Sequence, residues 1–345
     1  MRVALVSSFV PFITGGARFI VEWLEQKLSE HGCEVERIYL PFSDHPADLL
    51  SQMTAYRSLK IDGADRVICF RPPAHLVQHP HKVLWFIHHF RVFYDLWETE
   101  LAPLHTPYNE ALRRAIFHAD GVGLREARAI FTNSRVVQQR LKTFNGVESS
   151  VLYPPLPETA DYQDVEYGEE VVYVSRLVPH KRQHLLVEAM AYVQTEVKAR
   201  ICGEEAAGGT YVKELSRLAS KLGVSDRIAI ENRWISEQEK KDLIARSLAV
   251  AYFPLDEDSY GYPSLEAAHS YKPILTTADS GGVLEFVTHE HNGFVCDGTN
   301  PKSIAGALDR LYRDRQMAAT LGQAANKRVE ELGINWANVI NHLLA

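Results

Sequence analysis

Short apolar runs rich in β-branched residues alternate along the chain with segments in which apolar residues recur at helical spacing. The first run, RVALVSS, is followed by a turn and then by ARFIVEWLEQKLSEHG. In that segment Ile20, Trp23, Leu24 and Leu28 form an apolar stripe, and Gly32 suits a helix stop. This alternation predicts parallel sheets whose strands are joined by helical crossovers.

The alternation stops once and then restarts. Further strands are predicted in the first half at CEVERIYL, DRVICF, VLWFIHH, RAIFTNS and SSVLYPP. The run PPLPETADYQD, residues 154–164, is rich in proline and acid, has no periodicity and reads as a linker. After it, strands are predicted at EVVYVSRL, VKARICG, RIAIENRW, LAVAYFP and PILTTAD, with helices between them. Two α/β domains in tandem are therefore expected.

The expected boundaries are a first domain over 1–155, a linker over 156–168, a second domain over 169–330 and a closing helix over 331–345. The docking site of that helix is not legible from the sequence. Ligands of parallel sheets bind beyond the carboxyl ends of the strands, so two facing domains would hold a ligand in the cleft between them.

Two helix starts carry capping signals. Ser236 and Glu239 have capping-box spacing before KKDLIARS, and Asn300-Pro301 fits an N-cap followed by a first-turn proline.

Composition narrows the class of protein. A chain of 345 residues is too long to fold around a single hydrophobic core, which predicts two domains. Its net charge of −7 argues against a nucleic-acid partner. No apolar run approaches the length that crosses a bilayer, and the opening RVALVSSFV reads as a strand, not as a signal peptide. The cysteines form neither a zinc pattern nor a disulfide framework, which predicts buried thiols in a reducing cytoplasm: Cys33, Cys69, Cys202 and Cys296.

A glycine pair stands between the first strand and the first helix. Gly15 and Gly16 would let backbone N–H groups approach an anion, although such a pair is often only a turn. The three-glycine dinucleotide fingerprint and the phosphate-loop pattern are both absent from the sequence. A nicotinamide enzyme and a phosphate-loop ATPase therefore lose their main support.

Two cations follow the strand VVYVS. Arg176 and Lys181 lie in a short loop before a helix that is predicted to begin near His180. A fixed guanidinium and a mobile ammonium at the carboxyl edge of a sheet would clamp a diphosphate. Two solvated surface cations are the alternative. The stripe of the following helix is Leu185, Leu186, Ala189, Met190 and Val193.

The segment DSYGYPSLEA, residues 258–267, has an acid near each end. Gly261 permits a close backbone approach, and N–H groups of the following helix point at the space between Asp258 and Glu266. As an alternative, Asp258 forms a turn and Glu266 gains from the helix dipole in the first helical turn. Asp256 and Asp258 also spell an acid-x-acid pattern that binds metals in other folds, which we rank below a metal-free site.

Several segments resemble family 4 glycosyltransferases. DSYGYPSLEA resembles the family's signature of an acid, seven residues and Glu, and SRLVPHKRQHLLVEAM its Arg-and-Lys diphosphate loop. SGGVLEFVTHEHNGFV is similar to its Gly-Gly-x-x-Glu segment, and the opening strand, Gly-Gly turn and helix also have counterparts. The likeness covers nearly the whole chain and is most specific in the second half.

The resemblance implies a GT-B fold, with two facing Rossmann-like domains and a C-terminal helix. It assigns Arg176 and Lys181 to the donor diphosphate, Glu266 to the ribose hydroxyls and Asp258 to the donor sugar. Amides around Tyr260, Gly261 and Tyr262 complete the donor pocket, with Gly15 and Gly16 on the other domain. His88 is carried over as a catalytic residue near the acceptor, although a core or surface histidine is the alternative. Asp258 departs from the family's usual Glu.

The implied activity is transfer of a hexose from a nucleotide-diphosphate sugar, with retention of configuration and without a metal cofactor. VLYPP favours GDP-mannose over UDP-sugars. The expected partners are this donor and a glycan, lipid-linked or small-molecule acceptor, in the cytoplasm or at the inner membrane face. A nucleotide-sugar epimerase, a phosphorylase on the same fold and a catalytically silent sugar-nucleotide-binding protein remain alternatives.

Overall fold

The structure is a computed structural model that describes residues 1–12 and 15–345, and the chain divides into two compact units. The first unit comprises Met1–Pro155 and Ile334–Ala345, and the second comprises Leu156–Gly333. Among the described residues, no helix is both long enough and apolar enough to cross a membrane.

The first unit contains a six-stranded parallel sheet in the order β2-β1-β3-β4-β5-β6. Its strands are β1 (Arg2–Phe9), β2 (Glu34–Pro41), β3 (Arg66–Cys69), β4 (Lys82–Phe86), β5 (Ala129–Thr132) and β6 (Ser150–Val151). The order reverses between β1 and β3. In an open parallel sheet such a reversal opens a crevice at the carboxyl ends of the two strands.

The sheet of the first unit is covered on both faces. Its helices are α1 (Gly16–Glu30), α2 (Pro46–Ser58), α3 (Pro107–Arg125) and α4 (Arg135–Asn145). Val3 and Leu5 of β1 pack into one core with α1, whereas Ala4 and Val6 pack into the other with α2 and α3. Burial on both faces explains why β1 is a continuous apolar run without polar alternation.

The second unit repeats the plan with six parallel strands in the order β12-β11-β10-β7-β8-β9. The strands are β7 (Glu170–Val174), β8 (Lys198–Gly203), β9 (Ile228–Asn232), β10 (Ala249–Ala251), β11 (Ile274–Thr277) and β12 (Gly293–Cys296). Here the order reverses between β7 and β10, so the crevice of this sheet lies between the loops that follow those two strands.

The helices of the second unit are α5 (His184–Met190), α6 (Tyr211–Leu222), α7 (Glu237–Ala245), α8 (Tyr262–His269), α9 (Pro301–Arg313) and α10 (Arg315–Glu331). The predicted caps are confirmed. Ser236 Oγ accepts from the Glu239 N–H at 3.1 Å, and Asn300 Oδ1 accepts from the Lys302 N–H at 3.2 Å.

Residues 156–169 contain neither helix nor strand, yet they are fastened to the second unit. Tyr167 donates its hydroxyl to the Tyr271 carbonyl at 2.6 Å, and the buried Lys272 Nζ donates to the Val165 carbonyl at 2.8 Å. A buried ammonium needs such a partner, so this stretch is held in place along the second unit.

The chain ends in α11 (Trp336–Leu344), which returns to the first unit. Val339, Ile340 and Leu343 join the core that α1 and β1 share, and the Arg66 guanidinium donates to the carbonyls of Leu343 and Ala345. This contact supplies the docking site that the sequence did not reveal. The prediction of two Rossmann-like α/β domains with a C-terminal helix is confirmed.

Candidate functional site

Two loops flank the crevice of the second unit. One joins β7 to α5 over 175–183, and the other joins β10 to α8 over 252–261. Because β7 and β10 are adjacent and parallel, both loops leave the same edge of the sheet. The residues predicted to bind the donor from this half of the chain lie on these loops or at the start of α8.

Lys181 is held, which differs from the mobile ammonium predicted from the sequence. It lies in a short 3-10 turn, Pro179–Lys181, and its side chain is nearly buried. Its Nζ donates to the Tyr252 hydroxyl at 2.8 Å and forms an ion pair with the Glu257 carboxylate. The helix that was predicted to begin near His180 begins at His184 instead, because this turn precedes it.

Glu257 is the carboxylate that balances the charge of Lys181. Burial raises the pKa of Glu257, but the Lys181 ammonium and the Tyr252 hydroxyl lower it more strongly, and the net pKa falls below its ordinary value. Tyr252 also donates to Glu257 at 3.0 Å, and burial followed by that carboxylate raises the pKa of its phenol. The three groups form one closed network of charge-assisted hydrogen bonds.

Arg176 is exposed at the end of β7. Among the residues that the structure describes, its guanidinium has no hydrogen-bond or ion-pair partner. The predicted roles of the two cations are therefore reversed in mobility: the ammonium of Lys181 is fixed and the guanidinium of Arg176 is available to an anion.

Gly261 caps the N-terminus of α8 and allows the loop to turn tightly. Its φ is +70°, and a Cβ there would lie 2.2 Å from the ring of Tyr252. Glycine is required on both grounds, since other residues avoid this conformation and the ring occupies the space of a side chain. Tyr260 is buried against Phe286, with 5.9 Å between ring centroids, whereas Tyr262 is half-buried as the first residue of the helix.

Glu266 is the fifth residue of α8, which corrects its predicted place in the first turn. The helix dipole acts mainly over the first turn, so the dipole does not account for this acid. Its carboxylate is 4% exposed and pairs with Lys240 Nζ at 2.6 Å. Burial lowers the pKa of Lys240, but the carboxylates of Glu266 and Glu237 outweigh burial and raise it.

The acid-rich loop, residues 256–258, packs against a second glycine turn, at Gly281 and Gly282. Asp256 has a φ of +45° and its N–H donates to the Asp279 carbonyl at 2.9 Å, while the Gly282 N–H donates to the Glu257 carbonyl at 2.7 Å. A Cβ on Gly281 would lie 2.5 Å from that Glu257 carbonyl oxygen. The Gly-Gly pair of SGGVLE thus lets two loops pack backbone to backbone. Asp258 lies half-buried in the same loop.

Arg182 is a site residue that sequence reasoning missed. Its guanidinium donates to the carbonyls of Phe253 and Pro254, at 2.7 and 3.0 Å, and forms a two-pronged ion pair with Asp279. The contacts tie the loop after β7 to those after β10 and β11. The sequence indicated only that Arg182 is adjacent to Lys181. Adjacency does not predict in which direction either side chain points.

In the first unit, Gly15 and Gly16 lie at the start of α1, after β1. Gly15 is the N-cap, and its carbonyl accepts from the N–H groups of Arg18 and Phe19 at 2.9 and 3.1 Å. The predicted turn also contains Ile13 and Thr14, which lie outside the described residues.

His88 lies in a loop, since β4 ends at Phe86 and the predicted strand VLWFIHH is too long. Its Nδ1 is 2.7 Å from the His89 carbonyl. Burial, and next the charge of Arg71, lowers the pKa of His88 to about 3, so its imidazole is neutral at neutral pH. His89 is buried, and its Nε2 is 2.9 Å from Asn145 Oδ1.

Among residues 1–12 and 15–345, no group of three or more His, Cys, Asp and Glu side chains is placed to hold a metal ion. Within the acidic triplet 256–258, the carboxylate of Glu257 is engaged by Lys181.

Comparison with known protein families gives a match for the second unit. Residues 160–328, which contain the two loops and α8, match the family described as Glycosyl transferases group 1. The match spans most of the second unit.

The curated relatives of the chain carry related names. A GDP-mannose-dependent alpha-(1-6)-phosphatidylinositol monomannoside mannosyltransferase of Mycolicibacterium smegmatis is 33% identical over 185 residues, covering 50% of this chain and 47% of the relative. A D-inositol 3-phosphate glycosyltransferase of Salinispora arenicola is 29% identical, covering 52% of this chain and 41% of the relative. The chain thus spans less than half the length of these relatives.

Solved structures with the same fold cover all or nearly all of the chain. The Anabaena protein HepE, in complex with UDP, has a TM-score of 0.74 at 19% identity, with 100% of both chains covered. Sucrose-phosphate synthase from Thermosynechococcus elongatus has a TM-score of 0.76 at 17% identity, covering 99% of this chain and 97% of that one. The predicted GT-B fold class is confirmed.

Proposed function

We propose that the protein transfers a hexose from a nucleotide-diphosphate sugar to a glycan, lipid-linked or small-molecule acceptor, with retention of anomeric configuration. The observation that carries the proposal is the convergence of Arg176, Lys181 and the start of α8 at the point where the strand order of the second unit reverses. Sheets of this type bind nucleotides at that point.

The diphosphate of the donor lies against the loop after β7 in this proposal. Arg176 is exposed and without a protein partner among the described residues, so its guanidinium can form two parallel hydrogen bonds to phosphate oxygens. Lys181 adds a fixed positive charge, and the N–H groups at the start of α8 add the positive end of a helix. These groups neutralise the diphosphate without a metal cofactor.

The two acids of 258–266 have separate roles. Glu266 accepts hydrogen bonds from the ribose hydroxyls, and the ion pair with Lys240 orients its carboxylate. Asp258 faces the hexose. The intervening Gly261 brings the backbone close to the donor, since its conformation and the Tyr252 ring leave no space for a side chain.

The chemical step breaks the bond between the anomeric carbon and the phosphate oxygen, and that carbon bonds to an acceptor hydroxyl oxygen. The electron pair of the broken bond leaves with the diphosphate, which takes the proton of the acceptor hydroxyl. Attack from the face that the diphosphate leaves gives retention. Arg176 and Lys181 assist because negative charge grows on the phosphate as the bond breaks.

GDP-mannose is the proposed donor. The relatives at 30% and 33% identity are named as GDP-mannose-dependent mannosyltransferases, and the family match covers the second unit, where the donor would bind. UDP-glucose is the natural comparator, because HepE of the same fold was solved with it. A lipid-linked acceptor would place the protein at the inner membrane face, and a soluble acceptor in the cytoplasm.

Thermal shift against nucleotides tests the donor. A ligand at a hundred times its Kd adds about 2.7 kcal/mol to the free energy of unfolding, which raises the melting temperature measurably. We expect GDP and GDP-mannose to raise it more than UDP and UDP-glucose. No shift with any nucleoside diphosphate would contradict the proposal. Turnover of the best donor with cell-derived acceptors, followed by NMR of the product's anomeric proton, then tests transfer and retention.

A further inference from the structure

Arg71 of the first unit has a guanidinium for which the structure shows no anion. The residue follows β3, and its Nε is shielded from solvent without a hydrogen-bond partner. Among the described residues, no carboxylate forms an ion pair with it. Two other arginines of this unit pair with a carboxylate: Arg57 with Glu126 at 2.6 Å, and Arg91 with Asp95 at 2.7 Å.

The position of Arg71 coincides with the crevice of the first sheet. The order of that sheet reverses between β1 and β3, and Arg71 stands just beyond the carboxyl end of β3. The Phe70 N–H donates to the Val6 carbonyl at 3.1 Å, and Ser8 Oγ donates to the Pro72 carbonyl at 2.7 Å. These two bonds fasten Arg71 beside the end of β1. Ligands of such sheets occupy this place.

Within residues 1–12 and 15–345, no carboxylate is placed to balance the charge of Arg71. Burial lowers the pKa of its guanidinium, and the groups that oppose this shift are phenols, Tyr56 and Tyr39. Its charge in turn helps to lower the pKa of His88, so that ring stays neutral beside it. The ring of Phe42 lies 5.7 Å from the guanidinium carbon. A partly buried cation without a counter-ion is costly, and proteins retain one where a ligand supplies the anion.

We propose that Arg71 binds an anionic group, a phosphate monoester or a carboxylate, on the acceptor. The inference deepens the proposed function, since it presumes that the acceptor occupies the crevice of the first unit. Phe42 covers the guanidinium with a ring, a contact that arginine accepts while its in-plane N–H groups point elsewhere. Two parallel hydrogen bonds to two oxygens of one anion suit such a fork.

The test uses the full-length protein with its donor site filled by a saturating nucleoside diphosphate, so that Arg176 and Lys181 cannot capture the probe. Mannose 6-phosphate, glucuronate, inorganic phosphate and mannose are titrated by calorimetry. We expect at least one anionic probe to bind at least tenfold more tightly than mannose. The phosphate and carboxylate probes distinguish the two kinds of anion.

Arg71→Gln removes the charge and keeps a polar side chain of similar reach. We expect it to abolish the preference for anionic probes, and Arg71→Lys to retain part of it. The matched control is Arg114→Gln, which removes one exposed positive charge from α3 and leaves the preference intact. Equal binding of anionic and neutral probes by the wild type, or an unchanged preference in Arg71→Gln, overturns the proposal.

Two further readouts separate this inference from its alternatives. A purely structural Arg71 would lower the melting temperature when replaced, whereas we expect Arg71→Gln to melt at or above the wild-type temperature because a partly buried charge without a counter-ion is removed. Nucleoside diphosphate binding is measured in the same variants. Absence of that binding in the wild type would refute the proposed donor site. The anion preference is then compared between the wild type and Arg71→Gln without nucleotide, and the part that Arg71→Gln loses belongs to Arg71.

Discussion

The Nζ of Lys181 and the carboxylate of Glu257 form an ion pair across 76 positions of sequence, joining the loops that follow β7 and β10. Tyr252 donates to the same carboxylate, and its ring fills the space that a side chain at residue 261 would need. One network therefore sets both the cation beside the proposed diphosphate site and the backbone turn that starts α8.

Arg176→Ala should weaken binding of the nucleoside diphosphate with little change in stability. Its side chain is exposed and has no protein partner among the described residues, so folding loses nothing when it is removed. A charge-assisted contact to phosphate contributes about 1.5–3 kcal/mol, which corresponds to at least a tenfold rise in Kd. Calorimetry measures the Kd for the nucleoside diphosphate, and a melting curve of the same sample measures stability. An unchanged Kd would remove Arg176 from the donor site.

Lys181→Met should reduce both stability and diphosphate binding, because it leaves the half-buried Glu257 carboxylate without its cation. Removing one partner of a buried ion pair costs about 3 kcal/mol or more. Lys181→Met with Glu257→Gln should recover much of the stability but not the binding. The double variant thus separates a lost phosphate contact from a damaged fold, as read by denaturant unfolding and calorimetry. Recovery of binding together with stability would contradict a direct role for Lys181.

Glu257→Gln should make the melting temperature depend less on pH under acidic conditions. The Lys181 ammonium outweighs burial and holds the pKa of Glu257 below its ordinary value. A carboxyl group whose pKa is lowered by folding adds stability above its unfolded pKa of about 4.3, and that stability is lost as the pH falls through the lowered pKa. Between about pH 5 and pH 3, the melting temperature of the wild type should therefore fall more than that of Glu257→Gln. Parallel curves would show that the pair adds no pH-dependent stability.

The hydrophobic pattern was sufficient for the fold but not for its details. Alternating strand and helix signals, interrupted at residues 154–164, predicted two α/β domains, and the stripe of α5 is buried as predicted. The strand predicted at VLWFIHH ends early, at Phe86, because the apolar run continues into a loop that is itself buried around His89. Periodicity reports burial, and burial extends beyond the strand.

Pairing between distant residues was the part of the site that the sequence could not supply. Spacing identified Lys181 and Glu266 as candidates, yet their partners Glu257 and Lys240 were chosen by loops and helices that meet only in the folded chain. Glu257, the acid next to Asp258, was noted in the sequence but given no role. Arg71 was not singled out at all, since an unpaired arginine is recognised by the absence of neighbours and not by a motif.

Activity should survive removal of divalent metals. In the proposed site, Arg176, Lys181 and the N–H groups of α8 neutralise the diphosphate, and the Glu257 carboxylate of the acidic triplet is engaged by Lys181. Turnover in EDTA should therefore equal turnover with added manganese, and Asp256→Asn should change it little. Activity that is lost on chelation and restored by manganese would instead favour a metal held by Asp256 and Asp258.

Glu266→Gln and Asp258→Asn should have different effects, because the two acids are proposed to meet different parts of the donor. Glu266→Gln should weaken nucleoside diphosphate and nucleotide sugar alike, since both contain the ribose. Asp258→Asn should leave nucleoside diphosphate binding nearly intact and lower kcat and kcat/KM together, as a loss confined to the transition state does.

Glu266 needs a control for its structural contact with Lys240. Lys240→Met removes the cation and leaves the Glu266 carboxylate buried, so it should lower the free energy of unfolding. If Glu266 serves only to pair with Lys240, Glu266→Gln with Lys240→Met should bind nucleotide like the wild type. If Glu266 holds the ribose, the double variant should bind as poorly as Glu266→Gln although its stability recovers. Identical binding and turnover profiles for Glu266→Gln and Asp258→Asn would show that the two acids do not divide the donor between them.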